Sequence, residues 1–148
     1  MLIAIFGESC TGKSTLAGRI RDTLGGRTVT GRDYLRLAKQ ENEAVRRFRA
    51  QLEEAVSGEN LIYVLSEPAL LDLLPEGAVR VLVRASLDTI QDRFRARMRG
   101  NLPAPVAEML ARKHGMFDAA PCDYRFDSET DDPDALCRAL VSSMNTEE

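Results

Sequence analysis

Residues 2–6, Leu-Ile-Ala-Ile-Phe, carry no polar side chain and run directly into Gly7-Glu8-Ser9-Cys10-Thr11-Gly12-Lys13-Ser14-Thr15. Five consecutive apolar residues suit a strand buried on both faces, the situation of a central strand in a parallel sheet. From Ser14 to Leu24 the apolar positions Leu16, Ala17, Ile20 and Leu24 fall at helical spacing, and Gly25-Gly26 ends the run. Strand, glycine-bearing turn and helix in that order commit the chain to open as a βα unit. The turn has the Gly-x4-Gly-Lys-Ser spacing of a phosphate-binding loop. Gly7 and Gly12 let the backbone turn and bring its N–H groups close to a polyphosphate. That anion then lies at a helix N-terminus, where unpaired donors and the helix dipole favour negative charge. A lysine at the start of a helix opposes the dipole unless an anion is bound, so an ordinary glycine-rich turn does not account for Lys13.

The remaining chain alternates strand and helix signals. Strands are expected at 27–30, 61–65, 79–83 and 124–126, of which Leu61-Ile-Tyr-Val-Leu65 is the most apolar. Helical patterns fall at about 33–56, 68–74, 86–98, 106–116 and 133–144, with Ser86 as an N-cap and Pro133 near an N1 position. The 33–56 stretch is charged, with Leu35, Ala38, Val45, Phe48, Leu52, Ala55 and Val56 forming a discontinuous apolar face. The expected fold is therefore α/β: a five-stranded parallel sheet with helices on both faces, in three layers. At 148 residues the chain is expected to form one domain, residues 1–148.

Composition narrows the function classes. A formal charge of −3 argues against a nucleic-acid-coating surface. No apolar run approaches the ~20 residues of a bilayer span, so a soluble, cytoplasmic protein with no membrane partner is expected. Cys10, Cys122 and Cys137 lack metal-ligand spacing and read as free thiols, with Cys10 a small loop residue rather than a redox switch. His114 reads as a solvated helix position, and Asp131, Asp132 and Asp134 as a helix N-terminus complementing its dipole. Oligomeric state is not legible.

The second informative region is 86–100, with arginines at 93, 95, 97 and 99. At about 100° per residue, Arg93 and Arg97 project together along one edge of the apolar face, and Arg95 with Arg99 on another side. Arg93 and Arg97 then turn into a cleft while the other pair stays solvated. Planar guanidinium forks suit charge that moves onto a transferring phosphoryl group.

With these residues the chain resembles the nucleoside monophosphate kinase group of P-loop kinases, which includes adenylate, guanylate and cytidylate kinases. The resemblance implies a P-loop NTPase fold with a short lid, here about 97–106. It also implies that Gly7, Glu8, Ser9, Cys10, Thr11, Gly12, Lys13, Ser14 and Thr15 hold the phosphates of ATP. Lys13 reaches the β/γ-phosphates, Ser14 ligates Mg²⁺, and Thr15 touches the α-phosphate. Asp88, Arg93 and Arg97 match the group's DxxxxRxxxR helix, so that Arg93 flanks the ATP base and Arg97 the phosphates. Thr30-Gly31-Arg32-Asp33-Tyr34-Leu35-Arg36 is similar to the group's TGD-type turn with one extra residue. This implies Asp33 near the Mg²⁺ shell and Arg36 on the acceptor, within an acceptor-side region of about 33–56. Arg112 lies where such kinases carry another lid-side arginine. The pattern departs from the group after the third strand, where Ser66-Glu67-Pro68 stands in place of an aspartate. Glu67 is left between reaching a metal-bound water and a capping or surface role.

The expected function is transfer of the γ-phosphoryl of Mg-ATP to a small-molecule acceptor, with Lys13, Arg93, Arg97 and Asp33 as the catalytic set. A nucleoside monophosphate is the first acceptor class. A hydroxyl acceptor, as in shikimate or sugar kinases, is the alternative and would use Asp33 as base. A nucleotide-binding regulatory domain without efficient transfer is the third reading. The absence of an [NT]KxD motif disfavours a GTPase.

Overall fold

The structure is a computed structural model that describes residues 1–146. The apolar runs become parallel strands β1 (Leu2–Phe6), β2 (Arg27–Thr30), β3 (Leu61–Leu65), β4 (Val79–Arg84) and β5 (Tyr124–Asp127), in the order β2-β3-β1-β4-β5. The helices are α1 (Lys13–Leu24), α2 (Glu41–Ser57), α3 (Leu87–Arg97), α4 (Ala104–Lys113) and α5 (Pro133–Thr146). β1 is central, paired with β3 on one side and β4 on the other, and the chain reverses its direction of travel across the sheet about it. Open α/β sheets bind ligands outside the C-terminal strand ends at such a reversal, which is where the 7–15 loop emerges.

Strand alternation divides the core into two layers. Leu2, Ala4 and Phe6 of β1, with Leu61, Tyr63 and Leu65 of β3, face Ala44, Phe48, Leu52 and Ala55 of α2. Ile3 and Ile5, with Ile62, Val64, Val81 and Val83, face Leu16, Ala17 and Ile20 of α1 and Leu136, Cys137 and Leu140 of α5. Because both faces are covered, β1 and β3 are buried along their whole length, as their uninterrupted apolar sequences require. A third, smaller cluster joins Cys10 to Ala85, Ile90 and Leu110, so the loop after β1 is anchored under α3 and α4.

Three expectations are corrected. The 33–56 stretch is not one helix: Asp33–Leu37 is a 3-10 turn, the chain extends at Ala38 (φ −157°, ψ 161°), and α2 begins only at Glu41. Of the residues assigned to its apolar face, Leu35 is exposed, and its neighbour Tyr34 is buried instead, stacked on Phe48 at 5.0 Å. Pro68–Leu73 is likewise a 3-10 segment. The helix assigned to 106–116 starts earlier, with Pro105 tolerated in its first turn, and stops at Lys113, so His114 and Met116 lie outside it. Gly115, at φ +83°, turns the chain there. Ser86 does cap α3: its Oγ accepts the Thr89 N–H at 3.2 Å.

Candidate nucleotide and phosphoryl-transfer site

The loop between β1 and α1 is shaped by its glycines. A Cβ on Gly7 would stand 2.4 Å from the Val83 carbonyl oxygen, so only glycine lets β1 pass this close to the end of β4. Gly12, at φ +101°, occupies the left-handed region and delivers the chain into α1. Inside the turn the Glu8 carbonyl oxygen accepts two bonds, from Thr11 Oγ1 at 2.8 Å and Lys13 Nζ at 2.5 Å. Thr11 is fully buried, which fixes the loop from below.

Lys13 is 6% exposed, with no carboxylate in ion-pair contact among the described residues. Burial, and next the nearby Arg97 guanidinium, outweigh the opposing influence of Cys10 and Glu8 and lower the lysine from 10.5 to about 8. A polyphosphate at the loop would supply the missing counter-charge and restore the proton. Nucleotide binding is therefore expected to take up part of a proton at pH 8 and little at pH 6.5. Binding enthalpies measured by calorimetry in buffers of different ionisation enthalpy check this; buffer-independent enthalpies at pH 8 would contradict it.

Ser14 and Thr15, in the first turn of α1, are exposed, and among the described residues their hydroxyls make no intramolecular hydrogen bond. They line a cleft of about 700 Å³ with Cys10, Gly12, Arg93 and Arg97, walled on the far side by Phe126, Ser128 and Pro133. That volume lies in the range of small-ligand and cofactor sites. The arginines arrive from α3 as their spacing predicts, while Arg95 is engaged by Asp92 on the surface at 2.9 Å. The two cleft arginines differ. Arg93 Nη1 donates to the Cys10 carbonyl and to Ser128 Oγ, each at 3.1 Å, and so ties the loop to the segment after β5. Arg97 is exposed and makes no hydrogen bond or ion pair among the described residues.

Acceptor-side candidates sit at the end of β2. The Thr30–Asp33 turn is pinned by Gly31 N–H on the Val64 carbonyl at 2.8 Å and by the Tyr63 hydroxyl on the Gly31 carbonyl at 2.7 Å. Burial pushes the Tyr63 phenol well above its usual value, so it stays a donor. Asp33 and Arg36 are exposed, and neither side chain has a partner among the described residues. Glu67 accepts from Arg32 Nη2 at 2.7 Å. That hydrogen bond holds its carboxyl below the usual range. The pair spans the ends of β2 and β3 and accounts for Glu67 as an ion-pair partner in this state. Arg112 is exposed on α4.

Among the described residues no three His, Cys, Asp or Glu side chains cluster to hold a metal. The exposed hydroxyls of Ser14 and Thr15 are the oxygen donors offered at the start of α1. This fits Mg²⁺, which keeps much of its water and takes substrate phosphates rather than a protein cage. Sequence reasoning missed one contact of the loop: the Glu8 carboxylate meets His114 Nδ1 at 2.9 Å and Gly115 N–H at 3.1 Å. No spacing signal could have announced it, because the partners are 106 and 107 residues apart.

No family model matches the sequence, and no curated protein matches it by sequence. No described helix is long and apolar enough to cross a membrane. Solved structures do match the fold. A sugar kinase from a Janibacter species is 16% identical over 97% of this chain and 93% of its own, with a TM-score of 0.63. A shikimate kinase from Bacteroides thetaiotaomicron is 15% identical over 98% of both chains, also with a TM-score of 0.63. A gluconokinase from Sinorhizobium meliloti 1021 is 14% identical over 99% of this chain and 97% of its own, again with a TM-score of 0.63. Across so little identity the likeness is one of fold: a five-stranded parallel sheet with flanking helices, as in these kinase structures.

Proposed function

We propose that this chain is a phosphotransferase that moves the γ-phosphoryl of Mg-ATP onto a small acceptor. The observation that carries the reading is a single cleft lined by the phosphate loop, by the free hydroxyls of Ser14 and Thr15, and by Arg93 and Arg97. Lys13 and the loop N–H groups bind the donor, and Arg97 follows charge onto the transferring group. Catalysis of this type is mostly positioning and electrostatics. Mg²⁺, held by Ser14 and the phosphates, would neutralise charge on the donor.

The acceptor class is proposed to be a small hydroxylated molecule. Asp33 supports this as an exposed, unpartnered carboxylate at the end of β2, the chemistry a hydroxyl acceptor needs. The acceptor oxygen bonds to the γ-phosphorus as the β–γ bridging bond breaks, ADP leaves, and the hydroxyl proton passes to Asp33. The three similar structures, a sugar kinase, a shikimate kinase and a gluconokinase, point the same way by name. The nucleoside monophosphate reading keeps one specific support, the unpartnered Arg36 on the same turn, which would grip an acceptor phosphate.

The test is ADP formation from Mg-ATP against a panel of sugar acids, hydroxylated carbocyclic acids, sugars, nucleosides and nucleoside monophosphates, with Lys13→Met as the blank. Stimulation by a hydroxylated compound, lost in Asp33→Asn, is the expected result. Stimulation only by monophosphates, lost in Arg36→Ala, would transfer the assignment to the second reading. Tight ATP binding with no acceptor effect would favour a regulatory nucleotide-binding domain.

A further inference from the structure

Glu8 places a carboxylate inside a loop built to hold an anion, where an unrestrained negative charge would repel phosphate. Its side chain is only 14% exposed and is held by the residues that follow α4: Oε1 faces His114 Nδ1 and Oε2 accepts the Gly115 N–H. The same turn grips the root of the loop. Phe117, 1% exposed, packs on Phe6 with ring centroids 5.5 Å apart, and Asp118 pairs with Arg84 at the end of β4 at 3.5 Å. The Glu8 backbone oxygen meanwhile receives Lys13 Nζ and Thr11 Oγ1. One residue thus holds the loop lysine through its backbone and the end of α4 through its side chain. α4 is the outgoing arm of the short segment whose incoming arm, α3, ends in Arg97. At the acceptor edge, Lys113 in the last turn of α4 lies close enough to Glu67 to favour its charged form.

We propose that Glu8 is a positioning residue whose carboxylate ties the phosphate loop to the end of α4, so that filling the loop with nucleotide is transmitted to α4. The proposal rests on the donor-site reading above. It differs from a mere brace for the loop in what it predicts for affinity. Losing a negative charge beside the phosphates does not weaken nucleotide binding, whereas losing the tie to α4 uncouples α4 from the loop.

The experiment is hydrogen exchange by mass spectrometry on peptides spanning 98–116, with and without Mg²⁺ and a non-hydrolysable ATP analogue, alongside analogue affinity by calorimetry. In the wild type the analogue is expected to slow exchange in α4 at least tenfold. In Glu8→Ala the affinity stays within threefold of wild type or tightens, the α4 protection is lost, and kcat at saturating ATP falls about tenfold. Glu8→Gln, which keeps an acceptor for Gly115 N–H, restores most of the protection. His114→Ala loses part of it and adds nothing in the Glu8→Ala background. Unchanged α4 protection in Glu8→Ala overturns this proposal alone, as does an affinity loss above tenfold, which would make Glu8 a brace of the loop. A wild type that does not bind the analogue overturns the donor-site reading and this proposal together.

Discussion

Lys13→Met is expected to abolish phosphoryl transfer, with turnover down at least about a thousandfold, while making the nucleotide-free protein more stable at neutral pH. The two effects share one cause. Lys13 is a buried ammonium whose partner inside the protein is a neutral carbonyl, and its proton is held less tightly than in the unfolded chain, about 8 against 10.5. A difference of that size corresponds to about 3 kcal/mol of destabilisation while the lysine is charged in both states. Methionine keeps most of the side-chain volume and removes the charge, so a gain of about 1–3 kcal/mol is expected below pH 8. The sign follows from proton counts. Between pH 8 and 10.5 the unfolded chain binds more protons than the folded one at this site, so wild-type stability rises with pH across that window. The methionine variant lacks the rise, and the two stabilities converge toward pH 10.5. Denaturant melts of both proteins from pH 6.5 to 10.5 check the pattern. A variant less stable than wild type at pH 7 would show that the Glu8 carbonyl compensates the lysine fully. Added Mg-ATP should reverse the order, because the wild type gains more binding energy from the phosphates than a variant left with the loop N–H groups alone.

The sheet was legible because its information is local and redundant. Five apolar residues before a glycine leave β1 nowhere to go but a buried central position, and Leu61–Leu65 repeats the argument. The loop was legible for a related reason: the backbone approach at Gly7 and the left-handed turn at Gly12 each exclude almost every other residue. The Arg93/Arg97 edge followed from helical period alone. The region after β2 was not legible. The break at Ala38 is set by Tyr34 stacking on Phe48, which in turn meets the Tyr63 ring edge-on at 5.0 Å, a tertiary choice that overrides the charged helical pattern of 33–56. The Arg32–Glu67 pair and the Glu8 contacts with His114 and Gly115 depend on which strand ends and helix ends the topology brings together. Such contacts carry no signature in spacing. His114 illustrates the cost: its flanking charges suggest a solvated helix face, and only Gly115 ending the helix brings it to the loop.

Arg97→Ala is expected to lower kcat by about a hundredfold or more while changing ATP affinity by less than about threefold. Arg97 is exposed, has no hydrogen bond to break among the described residues, and lines the cleft close enough to Lys13 to disfavour its proton. Its removal breaks no bond in the fold and relieves a like-charge interaction with Lys13, so any weakened ground-state contact with the donor is partly offset. What is lost is a guanidinium free to follow charge onto the transferring group. Arg93→Ala should behave differently although it stands one turn away on the same edge. Arg93 bonds the Cys10 carbonyl and Ser128 Oγ, so truncation frees the loop from the segment after β5 and leaves the half-buried carbonyl without this donor. A stability loss of about 1–3 kcal/mol and a weakened donor site are expected, with kcat and ATP affinity falling together. Steady-state kinetics on both variants, with ATP affinity measured separately by calorimetry, distinguish the cases. Equal losses of kcat and affinity in Arg97→Ala would reduce it to a ground-state contact and leave charge stabilisation to Lys13, the loop N–H groups and Mg²⁺. A lysine at 97 should recover only part of the loss, since a point charge lacks the planar fork that pairs with two phosphoryl oxygens at once.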